Sequence, residues 1–249
     1  APEAAADRDT TLEVVCSHFV DEEFAARFGV DIVTTWSLSE SAGIATYSKR
    51  DYAHHVPKLI GWAVGDADVR VMETAGHHLV EAPRGAIGEL AVRHDAVMSE
   101  YWRDPESTGR ALRDGWLLSG DLGRMDELGR LFFEGRVKNM IKRSGENISA
   151  EEVEDRLLAH DAVRECAVVG VPDRIRTEEA KAYLVLNPDR VCEPAVLAAW
   201  CAGALSDFKV PRYFQVIEEM PRNATDKIRR PALLQIAGPV WDREGGNWV

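Results

Sequence analysis

The sequence predicts two structural classes in one chain, an α/β part followed by a smaller α+β part. Three observations predict this arrangement. The runs TLEVVCS and DIVTTW are rich in β-branched residues and flank the helical segment DEEFAARFG. Short strand-like segments separated by turn residues follow over about residues 68–134. Strand and helix patterns then alternate over roughly the last 110 residues, which are enough for a domain.

The first part begins with strand, helix and strand, which form a βαβ unit with two parallel strands. Parallel strands need cover on both faces. The chain begins too late to supply the rest of such a layer, and we therefore expect further strands of the sheet upstream of it.

The middle of the chain is predicted to be a small antiparallel, barrel-like region. Its strand candidates are DVRVME, GELAVR and GRLFFEG, and a short helix is expected to start at Pro105 in DPESTGRAL. Together with the βαβ unit, this region makes a partial large domain over residues 1–136.

Residues 137–249 are predicted to be a complete small α+β domain. Ser149 and Glu152 have the spacing of a capping box at the start of a helix. Pro194 suits the first turn of a second helix. Strands are expected at ECAVVGV, AKAYLVLN and RYFQVI, with a final helix after DKIRR.

Composition limits the classes of function. The 249 residues include 30 Lys and Arg against 42 Asp and Glu, a net charge of −12. Such acidity argues against a nucleic-acid partner, and no apolar run reaches the roughly 20 residues of a membrane span. No signal peptide is recognisable, so a cytoplasmic location is expected. The sequence leaves open whether the chain forms a homo-oligomer.

One short strip is basic although the chain is acidic. Residues 136–143 carry four basic residues and no acidic residue. The strip suits a compact anion such as ATP or CoA. The alternative is a solvated edge strand, in which lysine discourages aggregation.

A series of motifs resembles the second half of the adenylate-forming superfamily. This superfamily comprises acyl-CoA synthetases, peptide-synthetase adenylation domains and firefly luciferase. The motifs occur in order as WSLSE, GELAVR, EYWRDPEST, DGWLLSGDLG, GRVKNMIKRSGENISAEEVE, VVGVPD and FKVPRYFQVIEEMPRNATDKIRR. The resemblance covers nearly all of the chain from about Thr11. The wording of MPRNATDKIRR and of the tail VWDREGG is most similar to ligases of the crotonobetaine/carnitine-CoA type.

The resemblance implies a two-step reaction. A carboxylic acid reacts with ATP and Mg²⁺ to give an acyl-adenylate and pyrophosphate, and the acyl group then passes to the thiol of coenzyme A. The implied cofactors are ATP/AMP, Mg²⁺ and coenzyme A, and the implied partner is a small-molecule carboxylic acid.

The resemblance also assigns residues of the first part. Ser39 and Glu40 match positions that contact the phosphates and Mg²⁺, and oxygen ligands suit that ion. Trp36 opens the stretch that lies near adenine. Asp121 matches the carboxylate that accepts the ribose hydroxyls, although its glycine neighbours also favour a simple turn. Arg136 matches a second ribose contact.

Three further residues belong to the small domain. Lys138 matches the hinge about which that domain rotates between the two half-reactions. Gly145 matches the glycine that lets backbone approach the pantetheine arm. Lys227 matches the catalytic lysine that stabilises charge during adenylation, an electrostatic role. Considered without its motif, Lys227 is an ordinary surface lysine.

The sequence departs from the family pattern in four places. Ser37 stands where the stretch near adenine has glycine, and Thr177 and Asp226 also replace glycines. The family's phosphate loop and acyl pocket have no counterpart in these 249 residues. We therefore expect the chain to be the C-terminal portion of a longer enzyme and to be inactive alone.

Two alternatives to an acyl-CoA ligase follow from the same residues. One is an adenylation domain that loads a carrier protein instead of CoA. The other is a truncated, non-catalytic remnant that serves as an interaction or regulatory module.

Overall fold

A computed structural model describes residues 5–17, 20, 22–48 and 56–249 of the chain. The chain divides into two units, Ala1–Glu134 and Gly135–Val249, each with its own core. The two units are described separately below.

Within its described residues, the first unit contains most of one ten-stranded sheet and two short helices. The helices are α1 (Glu22–Phe28) and α2 (Pro105–Ala111). The strands are β1 (Val14–Ser17), β2 (Asp31–Leu38), β3 (Gly43–Tyr47), β4 (Leu59–Ala63), β5 (Asp68–Ala75), β6 (His78–Glu81), β7 (Gly88–Arg93), β8 (Leu112–Arg113), β9 (Trp116–Met125) and β10 (Leu131–Arg136).

The predicted βαβ unit is confirmed. β1 and β2 pair in parallel with Val14 opposite Asp31, and α1 lies between them in the chain. The order of the sheet is β1-β2-β3-β4-β10-β9-β7-β5-β6, with β8 beside β9. The pairs β2–β3, β3–β4, β4–β10, β7–β9, β5–β7, β5–β6 and β8–β9 are antiparallel. The antiparallel region therefore joins the βαβ unit directly through β3, earlier than the sequence suggested.

The core of the first unit gathers side chains from seven strands. Leu90 and Val92 of β7 are completely buried there beside Leu117 of β9 and Trp36 of β2. At 25 cal/mol per Å² or so, burial of such side chains supplies most of the stabilisation of a unit of this size.

The second unit is a seven-stranded sheet with helices on both faces. Its strands are β11 (Met140–Arg143), β12 (Glu146–Ser149), β13 (Val163–Asp173), β14 (Thr177–Leu186), β15 (Tyr213–Val216), β16 (Trp241–Asp242) and β17 (Asn247–Trp248), in the order β12-β11-β14-β15-β16-β17, with β13 beside β14. The helices are α3 (Ala150–Leu158), α4 (Pro194–Ala202) and α5 (Arg230–Leu233).

The strand alternation of β13 and β14 produces two cores. Cys166 and Val168 face one cluster, which includes residues of α3 and α4. Ala167 and Val169 face the other, which includes Leu233 of α5. Successive side chains of a strand point to opposite faces, so one hairpin supplies both cores. No helix within the described residues is long and apolar enough to cross a membrane.

One bond of the predicted capping box at α3 is present. The Ser149 hydroxyl accepts the backbone N–H of Glu152 at 3.3 Å, as predicted. The Glu152 carboxylate also binds the Lys209 ammonium, with both oxygens at 2.7 Å from Nζ. Hydrogen bonds between charged groups are strong, so this contact ties Lys209 to the first turn of α3.

A buried ion pair joins α3 to α5. The Arg230 guanidinium donates to both oxygens of Glu154 at 2.8 and 3.0 Å, and the Val168 N–H donates to the same carboxylate at 2.6 Å. Burial raises the pKa of Glu154 to about 7, against the opposing charge of Arg230.

Two of the predicted glycine replacements have left-handed backbone. The φ angles of Thr177 and Asp226 are +71° and +63°. A β-branched residue is strained in this region, at a cost of about 1–2 kcal/mol. Glycine has no such strain, but it loses more conformational entropy on folding than other residues, which costs about 0.5–1 kcal/mol.

We predict that Thr177→Gly stabilises the second unit by about 0.5–1 kcal/mol, because the exposed side chain contributes strain and no burial. Urea dependence of hydrogen exchange in β13 and β14 measures the change. Ser206→Gly, at an exposed position with φ −59°, is the matched control and should destabilise. A loss of stability in Thr177→Gly comparable to that of the control would contradict the prediction.

The raised pKa of Glu154 gives a second prediction. The folded state binds this proton more tightly than the unfolded chain, so the contribution of Glu154 to stability is largest below pH 4.5 and is lost as the pH rises through 7. The difference in unfolding free energy between wild type and Glu154→Gln should therefore fall by about 2–3 kcal/mol from pH 5 to pH 8. Urea titrations of both proteins at each pH measure it. A difference that grows with pH would show that Arg230 outweighs burial.

Candidate functional site

Asp121 lies in a bulge of β9. Glu89 of β7 pairs with Leu122, and Ala91 pairs with Leu118. Three residues, 119–121, are therefore opposite the single residue Leu90. Gly120 has a φ of +73°, which the bulge requires. The glycine neighbours of Asp121 thus serve a bulge inside a strand, and the turn interpretation of this segment is wrong.

The Asp121 carboxylate is held by Trp36. The indole Nε1–H donates to Oδ2 at 2.9 Å, and both residues are buried, with 3% and 5% of their surface exposed. Three strands separate β2 from β9 in the sheet order. Strands lie about 4.8 Å apart, so the sheet must curl to bring these two side chains together. The structure therefore joins two of the residues that the sequence proposed for nucleotide binding.

Neighbouring groups fix the bulge. The Ser119 hydroxyl donates to the Leu90 carbonyl at 2.6 Å and accepts the Asp121 N–H at 3.0 Å. The Gly120 N–H donates to the Glu89 carboxylate at 2.7 Å. Burial raises the pKa of Glu89, and the Gly120 N–H opposes that rise. These bonds set the direction in which Asp121 points.

Ser39 and Glu40 follow β2 in a single 3-10 turn, Ser39–Ser41, which Ala42 closes with a left-handed φ of +55°. Ser39 is exposed and Glu40 is half-buried. The Glu40 carboxylate accepts the Tyr101 hydroxyl at 2.7 Å, and this bond raises the pKa of Tyr101. The Glu40 carbonyl accepts the Met98 N–H at 2.7 Å. Side chain and backbone of Glu40 are thus both oriented by the segment before α2.

Tyr101 contacts the candidate site residue Glu40, and the sequence did not predict this contact. The Tyr101 backbone N–H donates to the Thr108 hydroxyl at 2.9 Å, and that hydroxyl donates to the Asp104 carbonyl at 2.7 Å. Asp104 also caps α2 by accepting the Ser107 N–H at 2.9 Å. The motif EYWRDPEST contains all of these residues. Pro105 in this motif predicted the helix, but the motif gave no sign of the contact between Tyr101 and Glu40.

The arrangement around Glu40 suits one kind of metal site only. The described residues contain no group of three or more His, Cys, Asp or Glu side chains that could hold an ion by themselves. Mg²⁺ commonly takes one or two carboxylates and completes its shell with substrate phosphates and water. A single oriented carboxylate fits that pattern.

In the second unit, Arg136 and Lys138 lie where the chain leaves β10. Arg136 is exposed, and Lys138 is exposed in the 3-10 turn Val137–Asn139. The Asn139 amide donates to Glu151 of α3 at 2.5 Å. The turn is thus tied to the second unit at its far end.

Gly145 occupies a two-residue hairpin turn between β11 and β12. Ser144 and Gly145 have φ angles of +52° and +88°, the pattern of a type I′ turn. A Cβ added at Gly145 would meet no atom within 4 Å. Glycine is therefore required by the backbone conformation, and the space in front of it is open to an approaching molecule.

Lys227 ends a tight loop whose backbone is fixed on both sides. The Asn223 side-chain oxygen accepts the Lys227 N–H at 2.9 Å, and the Asn223 N–H donates to the Lys227 carbonyl at 2.9 Å. Arg222 holds the Asp226 carbonyl at 2.7 Å. The Lys227 side chain is exposed, and the structure shows no ion pair between it and a described residue. A fixed backbone with an exposed ammonium suits charge stabilisation.

The basic strip does not act as one cationic surface. The Arg143 Nε donates to Glu179 at 2.7 Å, and Glu179 is 1% exposed. Arg143 is therefore neutralised inside the second unit. Arg143 therefore does not support the predicted anion site, which stays a prediction for the rest of the strip.

Two family models match separate parts of the chain. The sequence model of the family described as AMP-binding enzyme matches residues 14–102. The model described as AMP-binding enzyme C-terminal domain matches residues 152–227. The two matches follow one another in a single chain and together cover more than half of it.

The chain belongs to the adenylate-forming superfamily. The resemblance of its motifs is thereby confirmed.

Two relatives show how much of their length this chain matches. Sulfoacetate–CoA ligase of Cupriavidus necator is 37% identical over 215 residues, which are 86% of this chain and 42% of that protein. Crotonobetaine/carnitine–CoA ligase of Salmonella agona is 33% identical over 236 residues, which are 91% of this chain and 45% of that protein. The chain thus spans less than half the length of these curated relatives.

A solved structure of the superfamily has the same fold. ATP-bound MatB from Rhodopseudomonas palustris matches with a TM-score of 0.78 and 29% identity, over 90% of this chain and 45% of that chain. The predicted combination of a partial large domain and a small α+β domain is consistent with this likeness.

The bond between Trp36 and Asp121 gives a prediction for this member of the superfamily. Trp36→Phe removes a donor from a buried carboxylate and should destabilise the first unit by about 1.5–3 kcal/mol. In an Asp121→Asn background the same change should cost less, because the charged acceptor is gone. Urea unfolding of the four proteins measures the coupling. Trp102→Phe, at a side chain that is 80% exposed, is the control and should change little. If Trp36→Phe lowers the free energy of unfolding equally in both backgrounds, a direct bond between Trp36 and Asp121 is contradicted.

Proposed function

We propose that this chain is the nucleotide-binding and small-domain part of an AMP-forming acyl-CoA ligase, which converts a carboxylic acid, ATP and CoA to acyl-CoA, AMP and diphosphate. One observation carries the proposal. The Asp121 carboxylate is held in a fixed orientation by a β-bulge and by the Trp36 indole. A fixed carboxylate is a suitable acceptor for a pair of ribose hydroxyls.

In this proposal the first unit, together with Arg136 at the end of β10, binds the nucleotide. Asp121 and Arg136 contact the ribose, and Trp36 lies near adenine while it holds Asp121. Ser39 contacts the phosphates. Glu40 holds Mg²⁺, which neutralises phosphate charge when bound, and Tyr101 keeps the Glu40 carboxylate in position.

The second unit supplies one residue to each half-reaction. Lys227 stabilises the charge that develops on carboxylate and phosphate during adenylation. Lys138, in its exposed turn, is the hinge for a small domain that starts at residue 137. Gly145 lets the hairpin backbone approach the pantetheine arm of coenzyme A during thioester formation.

The remaining parts of the active site come from outside this chain. The phosphate loop and the acyl pocket are assigned to an N-terminal half, in keeping with relatives more than twice as long. The two ligases act by name on chemically different acids, and we therefore propose a carboxylic acid as substrate class and no particular acid. ATP and CoA are both cytoplasmic metabolites, and we place the enzyme there.

Nucleotide binding tests the proposal. In the full-length natural protein, Asp121→Asn should lower AMP affinity about 10- to 100-fold, because a hydrogen bond to a charged group contributes about 1.5–3 kcal/mol. Isothermal titration calorimetry measures the dissociation constant. Asp66→Asn, at an exposed position on the same unit, is the control. If Asp121→Asn binds AMP as tightly as this control, Asp121 has no role in ribose binding.

The division of labour between the half-reactions gives a further prediction. Lys227→Ala should lower acyl-adenylate formation by about a hundred- to a thousandfold and should still convert supplied acyl-adenylate to acyl-CoA. Pyrophosphate release and thioester formation are measured separately. Arg229→Ala, an exposed cation two residues away, is the control for charge. Equal losses in both steps for Lys227→Ala would show that its role is misassigned.

Gly145→Val should have the opposite effect, so that thioester formation is lost and adenylation is kept. The valine side chain and its strained backbone would lie in the turn that is proposed to face CoA. Gly76→Val introduces the same strain at φ +64° in another hairpin and controls for it. Thioester formation that is equally slow in both variants would point to general strain instead of CoA contact.

A further inference from the structure

The Gly145 turn is attached to the turn between β13 and β14. The Ser144 N–H donates to the Arg176 carbonyl at 2.9 Å, and the Lys142 N–H donates to the Glu178 carboxylate at 2.7 Å. Asp173 accepts the N–H groups of Ile175 and Arg176 at 2.8 and 2.7 Å. The location of Gly145 therefore depends on how Arg176 is held.

A buried carboxylate holds Arg176 from one side. Glu179 Oε1 accepts from Arg176 Nη1 at 2.5 Å, while its Oε2 accepts from Arg143 Nε at 2.7 Å. Glu179 is 1% exposed. One carboxylate thus binds an arginine from each of the two turns and draws them together.

A second carboxylate holds Arg176 from the C-terminal end of the chain. Glu244 Oε1 also accepts from Arg176 Nη1, and Glu244 Oε2 lies 3.4 Å from Arg212 Nη1. Glu244 lies in the connection between β16 and β17, where its backbone N–H donates to Asp242 at 3.0 Å. Arg212 binds Asp242 with two bonds of 3.1 Å. The bonds between Arg212 and Asp242 therefore hold the hairpin β16–β17 without Glu244. The Glu244 side chain can then act mainly as a partner of Arg176.

We propose that Glu244 is a positioning residue for thioester formation, because it fixes Arg176 and, through the Arg176 carbonyl, the Gly145 turn. This inference rests on the proposed function, which assigns Gly145 to the approach of coenzyme A. It gives the C-terminal hairpin a role that the two family matches, which end at residue 227, do not include.

The pattern of effects separates positioning from general stability. Loss of Glu244 leaves the bonds between Arg212 and Asp242 in place, so the hairpin stays folded. The side chains of Arg176 and Glu244 are 32% and 38% exposed. Water can therefore replace part of the interaction energy that Arg176 loses with the Glu244 carboxylate. The consequence is local mobility of the turn and not unfolding of the unit.

The test compares Glu244→Gln with wild type in the full-length natural protein. Hydrogen exchange of the segment 140–149 should accelerate about five- to tenfold, and exchange in β13 and β14 should stay within twofold. Thioester formation from supplied acyl-adenylate should slow by about five- to tenfold, while pyrophosphate release changes less than twofold. Glu244→Asp, which keeps the charge, should recover part of both losses.

Glu219→Gln removes one exposed carboxylate from the same unit and is the matched control, with no change expected in any readout. Exchange of segment 140–149 in Glu244→Gln that matches this control would overturn the proposal. So would an equal loss in both half-reactions together with faster exchange throughout the unit. If wild type forms neither acyl-adenylate nor thioester, the proposed function fails, and the exchange of segment 140–149 alone decides whether Glu244 positions the turn.

Discussion

A carboxylate that is buried away from water needs N–H groups as hydrogen-bond donors. In this chain, that requirement determines which segments lie next to one another. Three carboxylates among the described residues are almost fully buried, and their exposed fractions are 3% for Asp121, 9% for Glu154 and 1% for Glu179. A buried charge without partners costs several kcal/mol, so each one constrains the segment that supplies its donors. Asp121 is a proposed site residue, Glu154 holds the helix that follows the Lys227 loop, and Glu179 holds the strand that leads to Gly145.

The sequence predicted the elements well where the pattern is local. β-branched runs predicted the parallel pair, and Pro105 predicted the start of α2. It predicted less where the partners are distant. Trp36 and Asp121 are 85 residues apart, and Arg230 and Glu154 are 76 apart. No periodicity reports such a contact. The bulge in β9 was missed because two glycines beside an aspartate also describe a turn, and only the partner strand distinguishes the two.

The candidate site residues came from motif resemblance, and their geometry came from the structure. The resemblance named Glu40 but not Tyr101, since a single tyrosine has no spacing rule that ties it to a carboxylate 61 residues earlier. The same limitation applies to the basic strip, in which Arg143 looked available until its buried partner was seen. The number of charged residues in a stretch of sequence does not give the charge at the surface, because some of them are paired with buried groups.

The long hairpin of β13 and β14 has a consequence for how the second unit folds. Its two strands are joined by only three residues and pair over ten positions, so loop closure costs little entropy and the contacts are local in sequence. β15 pairs with β14 in parallel and must return through α4, which makes it a late, non-local addition. We expect the hairpin to nucleate folding on the microsecond scale of isolated hairpins and the C-terminal strands to dock onto it afterwards. On a ribosome, the emerging chain would therefore hold a formed hairpin before the loop of Lys227 has been synthesised.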